Sequence, residues 1–194
     1  MGQRILNTSP TSQWHSLVTE AQSVAGTQLD EELESYLVFM LMRYTDKPEM
    51  AASVLALDYL EASNTLGQLR QDRMRDVGDQ CLLYSGLFPE RAERRRVRIS
   101  YYVDLGRGAY HTAADATQQA IGQLFTGLAS QFVLIMDTLQ AMRGINNGGQ
   151  PLKPIMAFDL WRDTGSQMAR QSLQSVSQSK LAQTSSTKVN KSIN

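Results

Sequence analysis

Apolar residues return every three or four positions through most of the chain, the spacing of buried helix faces. Trp14, Leu17, Val18, Ala21 and Val24 form the first such run, which Gly26 closes. Asp30 stands where it can cap a second helix, and Glu31, Glu32 and Glu34 suit the positive end of that helix's dipole. Leu33, Tyr36, Leu37, Met40, Leu41 and Tyr44 make this second run apolar around much of its circumference, which predicts a central position. Asp46 and Glu49 then stand three apart as in a capping box, with Pro48 in the first turn. They predict a third helix with Met50, Val54, Leu57 and Leu60 as its buried stripe. A fourth over 66–83 turns Leu66, Leu69, Met74, Val77 and Cys81 inward and leaves Arg70, Asp72, Arg73, Arg75, Asp76 and Asp79 mostly outside. Gly86 and Pro89 punctuate its end.

The most regular pattern lies over 118–143, where Ile121, Leu124, Leu128, Phe132, Ile135, Leu139 and Met142 recur at threes and fours. Phe125 widens the stripe, and Gly144 stands as a C-cap, so one long helix at the centre of the domain is expected. Residues 145–154 form a loop by composition, followed by a last amphipathic segment carrying Ile155, Phe158, Leu160, Trp161, Met168 and Leu173. The fold class read from this order is all-α, a compact bundle of roughly six to eight helices. Residues 1–12 are expected to be a flexible N-terminus, 13–176 a single helical domain, and 177–194 a mobile polar tail poor in core formers.

Composition changes this picture little. At 194 residues, with 42% hydrophobic and 20% charged side chains, the chain is of globular rather than disordered type. A single cysteine, Cys81, excludes an internal disulfide framework, and its apolar neighbours predict a buried thiol. The first twelve residues lack the apolar core of a secretory leader and no membrane span stands out, so a cytoplasmic protein is expected. The formal net charge of zero hides an asymmetry. Residues 1–80 hold six Lys and Arg against twelve Asp and Glu, a balance of −6, and the remainder holds thirteen against seven, a balance of +6. Such a division can orient encounters with a charged partner or with a second copy of the chain.

Chemistry concentrates in residues 90–111, ERAERRRVRISYYVDLGRGAYH. Alternation of Val97, Ile99, Tyr101, Val103 and Leu105 with polar residues imitates a strand. Nothing else in the chain offers such a strand a partner, and its backbone groups would go unsatisfied, so a helix starting near Pro89 is expected. Gly106 and Gly108 mark either a kink or a tight backbone approach. On a continuous helix Arg91, Arg94, Arg95 and Arg98 share one broad side, able to engage an anionic group. The expected ligand-binding set is Arg94, Arg95, Arg98, Tyr102, Arg107 and Tyr110.

The leading functional expectation is a non-enzymatic binding or regulatory domain that recognises an anionic small molecule or an acidic protein partner, with a homodimer possible. A second class is a metal-dependent, hydrolase-type enzyme using Asp104, His111 and Asp115, which fall on one helical face, with His111 and Asp115 as the metal ligands and Tyr101 nearby. Against it, no HExxH or paired ExxH motif supplies further ligands. A third class is nucleic-acid binding through the arginines and the basic tail. A sequence pI near 6.7 and the absence of a recognised module argue against that class. No Walker loop, GxSxG elbow or CxxC pair is present, and the residues name no cofactor.

Overall fold

The computed structural model describes residues 9–46, 55–117, 119–147 and 151–189. Among them the chain is helical throughout, with ten helices and no strand: α1 Pro10–Ala25, α2 Glu31–Asp46, α3 Leu55–Ser63, α4 Gly67–Gly86, α5 Glu90–Arg94, α6 Ile99–Asp115, α7 Gln119–Ser130, α8 Phe132–Asn147, α9 Pro154–Thr164 and α10 Gln167–Val189. The all-α class stands, with more and shorter helices than the pattern suggested. No single helix among the described residues is long and apolar enough to cross a membrane.

Several boundaries fall where local chemistry puts them. Ser9 accepts the Ser12 amide to cap α1, and Gly26 ends that helix at a φ of 67°, in the left-handed region glycine enters without penalty. Asp30 accepts the Leu33 amide at 2.9 Å to open α2. That helix runs through Asp46, and the capping box expected of Asp46 and Glu49 falls, with Pro48, Met50 and Val54, on a stretch outside the described residues. The last helix continues to Val189, past the Val176 boundary read from composition.

The expected long helix over 118–143 is two helices, with α7 and α8 inclined by 66° across Gln131. Arg107 of α6 donates from Nε to the Ala129 carbonyl at 3.2 Å, at the break. A side chain entering the carbonyl ladder is a known cause of sharp kinks. The apolar pattern crosses the bend because both arms face the core: Leu128, Phe132, Ile135, Leu139 and Met142 are all buried. Gly144 is not a cap, since α8 continues to Asn147.

The centre of the molecule is the pairing of α4 with α6, over which α7 and α8 close. It depends on small residues. A Cβ on Gly106 would lie 2.5 Å from the Phe132 ring and 2.7 Å from Cys81 Cβ, so glycine here is what lets α6 approach. Cys81 is fully buried, as its apolar flanks predict. The α1 helix lies along α8, and α9 with α10 closes the far side. Asp137 of α8 accepts the Ser166 hydroxyl at 2.5 Å and the Gln167 amide at 2.8 Å, tying α8 to the start of α10.

Four leucines assigned to the core by periodicity are left outside it. Leu57 and Leu60 on α3, and Leu66 and Leu69 around the start of α4, are exposed. The α3 helix turns Leu55 and Ala62 inward instead, two positions seven apart on the same face. On α9 the inward residues are Ala157 and Leu160, which leaves Ile155, Phe158 and Trp161 at the surface.

Candidate functional site

The arginine run is where the backbone departs furthest from the simple helical reading. Residues 90–111 are not one helix. The α5 helix stops at Arg94, the chain turns through Arg95–Arg98, and α6 starts at Ile99. The stop has a defined hydrogen-bond pattern: the Val97 amide reaches the Ala92 carbonyl at 3.0 Å and the Arg96 amide reaches the Glu93 carbonyl at 2.9 Å. These two bonds form a Schellman motif whose left-handed residue is ordinarily glycine. Here it is Arg96, with a φ of 56°, the one non-glycine residue at positive φ among those described. A left-handed arginine costs about 1 kcal/mol relative to an ordinary helical one. Ala92, fully buried, anchors the preceding turn.

The turn separates the arginines by role, and the broad shared face expected for a continuous helix does not form. Arg91 is structural: its guanidinium lies 5.1 Å from the Tyr84 ring centre and donates to the Tyr84 hydroxyl at 3.3 Å. Arg95 also leans towards Tyr84, at 5.9 Å. Arg98 stands 3.5 Å from Asp163, a carboxylate already held by Arg162 and the Ser100 hydroxyl. The side chains of Arg94 and Arg96 are exposed and have no hydrogen-bond or ion-pair partner among the described residues. Their nearest acidic neighbour in sequence, Glu93, is paired with Lys153, and Glu90 with Arg143.

Arg96 and Arg98 line a hollow of about 240 Å³, whose other walls are Glu93, Val97, Ile99, Ile155, Met156 and Asp159. Its lining is therefore part aliphatic and part charged. A smaller hollow of about 150 Å³ lies on the other side of the turn, between Arg95, Val97, Tyr101, Tyr102 and the start of α3 at Leu55 and Ala56.

The remaining members of the expected binding set do not join this turn. Tyr110 is fully buried and donates its hydroxyl to Asp79 at 2.7 Å. Tyr102 is a core ring, set edge-on against Tyr84 at 5.3 Å, although it lines the smaller hollow. Arg107 serves the kink between α7 and α8. Tyrosines spaced by eight along α6 point inward because that helix buries a full side against α4, a partner that composition does not reveal. Asp104, His111 and Asp115 are exposed on α6. No group of three or more His, Cys, Asp or Glu side chains that could hold a metal occurs among the described residues.

Comparison with protein-family models, with curated proteins and with solved structures finds no significant match. Site assignment thus rests on geometry alone.

The structure also contains a charged cluster that periodicity missed. Asp79, expected to face outward on α4, is fully buried. Its carboxylate accepts the Tyr36 hydroxyl at 2.6 Å and the Tyr110 hydroxyl at 2.7 Å, and pairs with Arg43 of α2. Burial pushes its pKa up to about 6, against the pull of Arg43 and the two hydroxyls. Burial, and then the Asp79 charge, push the Tyr36 and Tyr110 hydroxyls well above their ordinary range. One carboxylate thereby joins α2, α4 and α6, a role for which the residues' distant positions in the chain give no local signal. With no atom of Asp79 exposed, the cluster is a brace and not a docking surface.

Proposed function

We propose that the protein is a non-catalytic binding domain whose working surface is the α5–α6 turn together with α9, and that it receives an acidic, partly apolar segment of a protein partner. The observation that carries this reading is the pair Arg94 and Arg96, exposed and without partners among the described residues, with Arg96 lining a hollow that Val97, Ile99, Ile155 and Met156 also line. Guanidinium groups without a carboxylate of their own are free to form charge-assisted bonds with one that arrives. Aliphatic side chains in the lining favour a ligand that brings apolar side chains next to its acids, which a peptide does and a bare anion does not. Placing an arginine at a left-handed position holds its side chain at the turn, at a cost to stability.

The test is fluorescence anisotropy with a labelled helical peptide carrying Glu and Leu pairs one turn apart. Arg94→Gln combined with Arg96→Gln weakens binding by about tenfold or more, since two charge-assisted bonds are lost. The melting temperature stays close to that of the parent, because neither side chain has a partner among the described residues. Arg98→Gln has a smaller effect, as that guanidinium is shared with Asp163. Binding that is indifferent to Arg94 and Arg96, or a DNA duplex preferred to the peptide, would overturn the reading.

A further inference from the structure

Two surfaces of this molecule carry matched and opposite features. On α9, Ile155 and Phe158 stand one turn apart and are 66% and 43% exposed. Arg96, one of the two arginines of the α5–α6 turn without a partner among the described residues, lines the same hollow as Ile155. On α3, Leu57 and Leu60 stand one turn apart and are 57% and 61% exposed. They are interleaved with Asp58 and Glu61, whose carboxylates have no hydrogen-bond or ion-pair partner among the described residues. Of the other charges nearby, Asp72 and Asp76 both engage Arg75, and Arg73 lines the same hollow as Asp58 and Glu61.

Each surface thus offers two apolar side chains at one-turn spacing, with two guanidinium groups near one and two carboxylates near the other that have no partner among the described residues. These apolar residues are among those that helical periodicity assigns to a core and that this fold leaves uncovered. Resting on the reading of the α5–α6 turn given above, we infer that the acidic segment it receives is α3 of a second copy of the chain. Leu57 and Leu60 of one copy pack on Ile155 and Phe158 of the other, and Asp58 and Glu61 face Arg94 and Arg96. The contact joins two different patches, so it is heterologous, unless a twofold axis forms it twice. The division of the sequence into a −6 half and a +6 half supplies the long-range attraction that orients such an encounter.

Sedimentation equilibrium of the full chain at low ionic strength tests this. The wild-type protein gains mass with concentration, and added salt reverses the gain. Asp58→Arg with Glu61→Arg abolishes association by setting like charges against the arginine turn. Arg94→Glu with Arg96→Glu does the same from the other side. An equimolar mixture of the two variants associates again, because in it each reversed patch meets its complement. Circular dichroism checks that each variant is folded, and all four substituted side chains are free of partners among the described residues. A wild-type chain that stays monomeric to millimolar concentration, or variants whose mixture stays monomeric, would overturn the inference. The acidic peptide would still bind the arginine turn in that event, so the two readings fail separately.

Discussion

At the scale of single residues, the position that matters most is Arg96. Its left-handed backbone is demanded by the Schellman pair that ends α5, and nothing about an arginine between Arg95 and Val97 signals such a conformation in advance. Glycine at this point would have announced the stop, as Gly26 does after α1. The expected consequence is a trade. Arg96→Gly stabilises the fold by about 1 kcal/mol by relieving the left-handed side chain, measured by urea denaturation, while weakening the acidic peptide. Unchanged stability would mean that the turn exacts no cost. Tyr102 and Tyr110 teach the complementary lesson. An aromatic beside arginines reads as a ligand-stacking group, yet both rings are committed to the core, and Tyr110 is needed by Asp79.

At the scale of elements, periodicity located helices better than it located their ends and faces. The α1 and α2 boundaries follow from Ser9, Gly26 and Asp30, residues whose side-chain or backbone chemistry acts within one turn. The division between α7 and α8 has no local signal, and the side chain that bonds the Ala129 carbonyl there, Arg107, comes from another helix. The faces of α3 and of the start of α4 were misread for a related reason: apolar spacing cannot say which of two apolar stripes finds a neighbour. Close approach of α6 to α4 and α8 makes a sharp prediction. Gly106→Ala places a methyl against Phe132 and Cys81 and costs about 1–3 kcal/mol. Thermal unfolding measures it, and the loss should exceed that of Gly108→Ala, where an added Cβ would find only the Tyr59 hydroxyl, at 3.7 Å.

At the scale of the whole molecule, Asp79 couples α2, α4 and α6 and gives folding a pH dependence. Its folded pKa of about 6 lies above the ordinary 3.8, so between these values the native state holds a proton that the unfolded chain has released. Stability from this group therefore falls as pH rises from about 4 to about 6 and levels off above, by up to about 3 kcal/mol. Asp79→Asn removes that decline, seen as a flatter unfolding free energy across the same range; an unchanged slope would assign the dependence to other groups. All-helical architecture and the buried Cys81 were legible in the chain because helix formation, capping and apolar spacing are settled by neighbours a few residues apart. The surplus of charge on each half was legible too, being simple arithmetic on the residues. Only the tertiary structure decided that Asp79 goes inside, that the arginine run breaks at Arg96, and which leucines stay in water. Each of those outcomes depends on partners brought from distant parts of the chain, and packing, unlike periodicity, acts only once they meet.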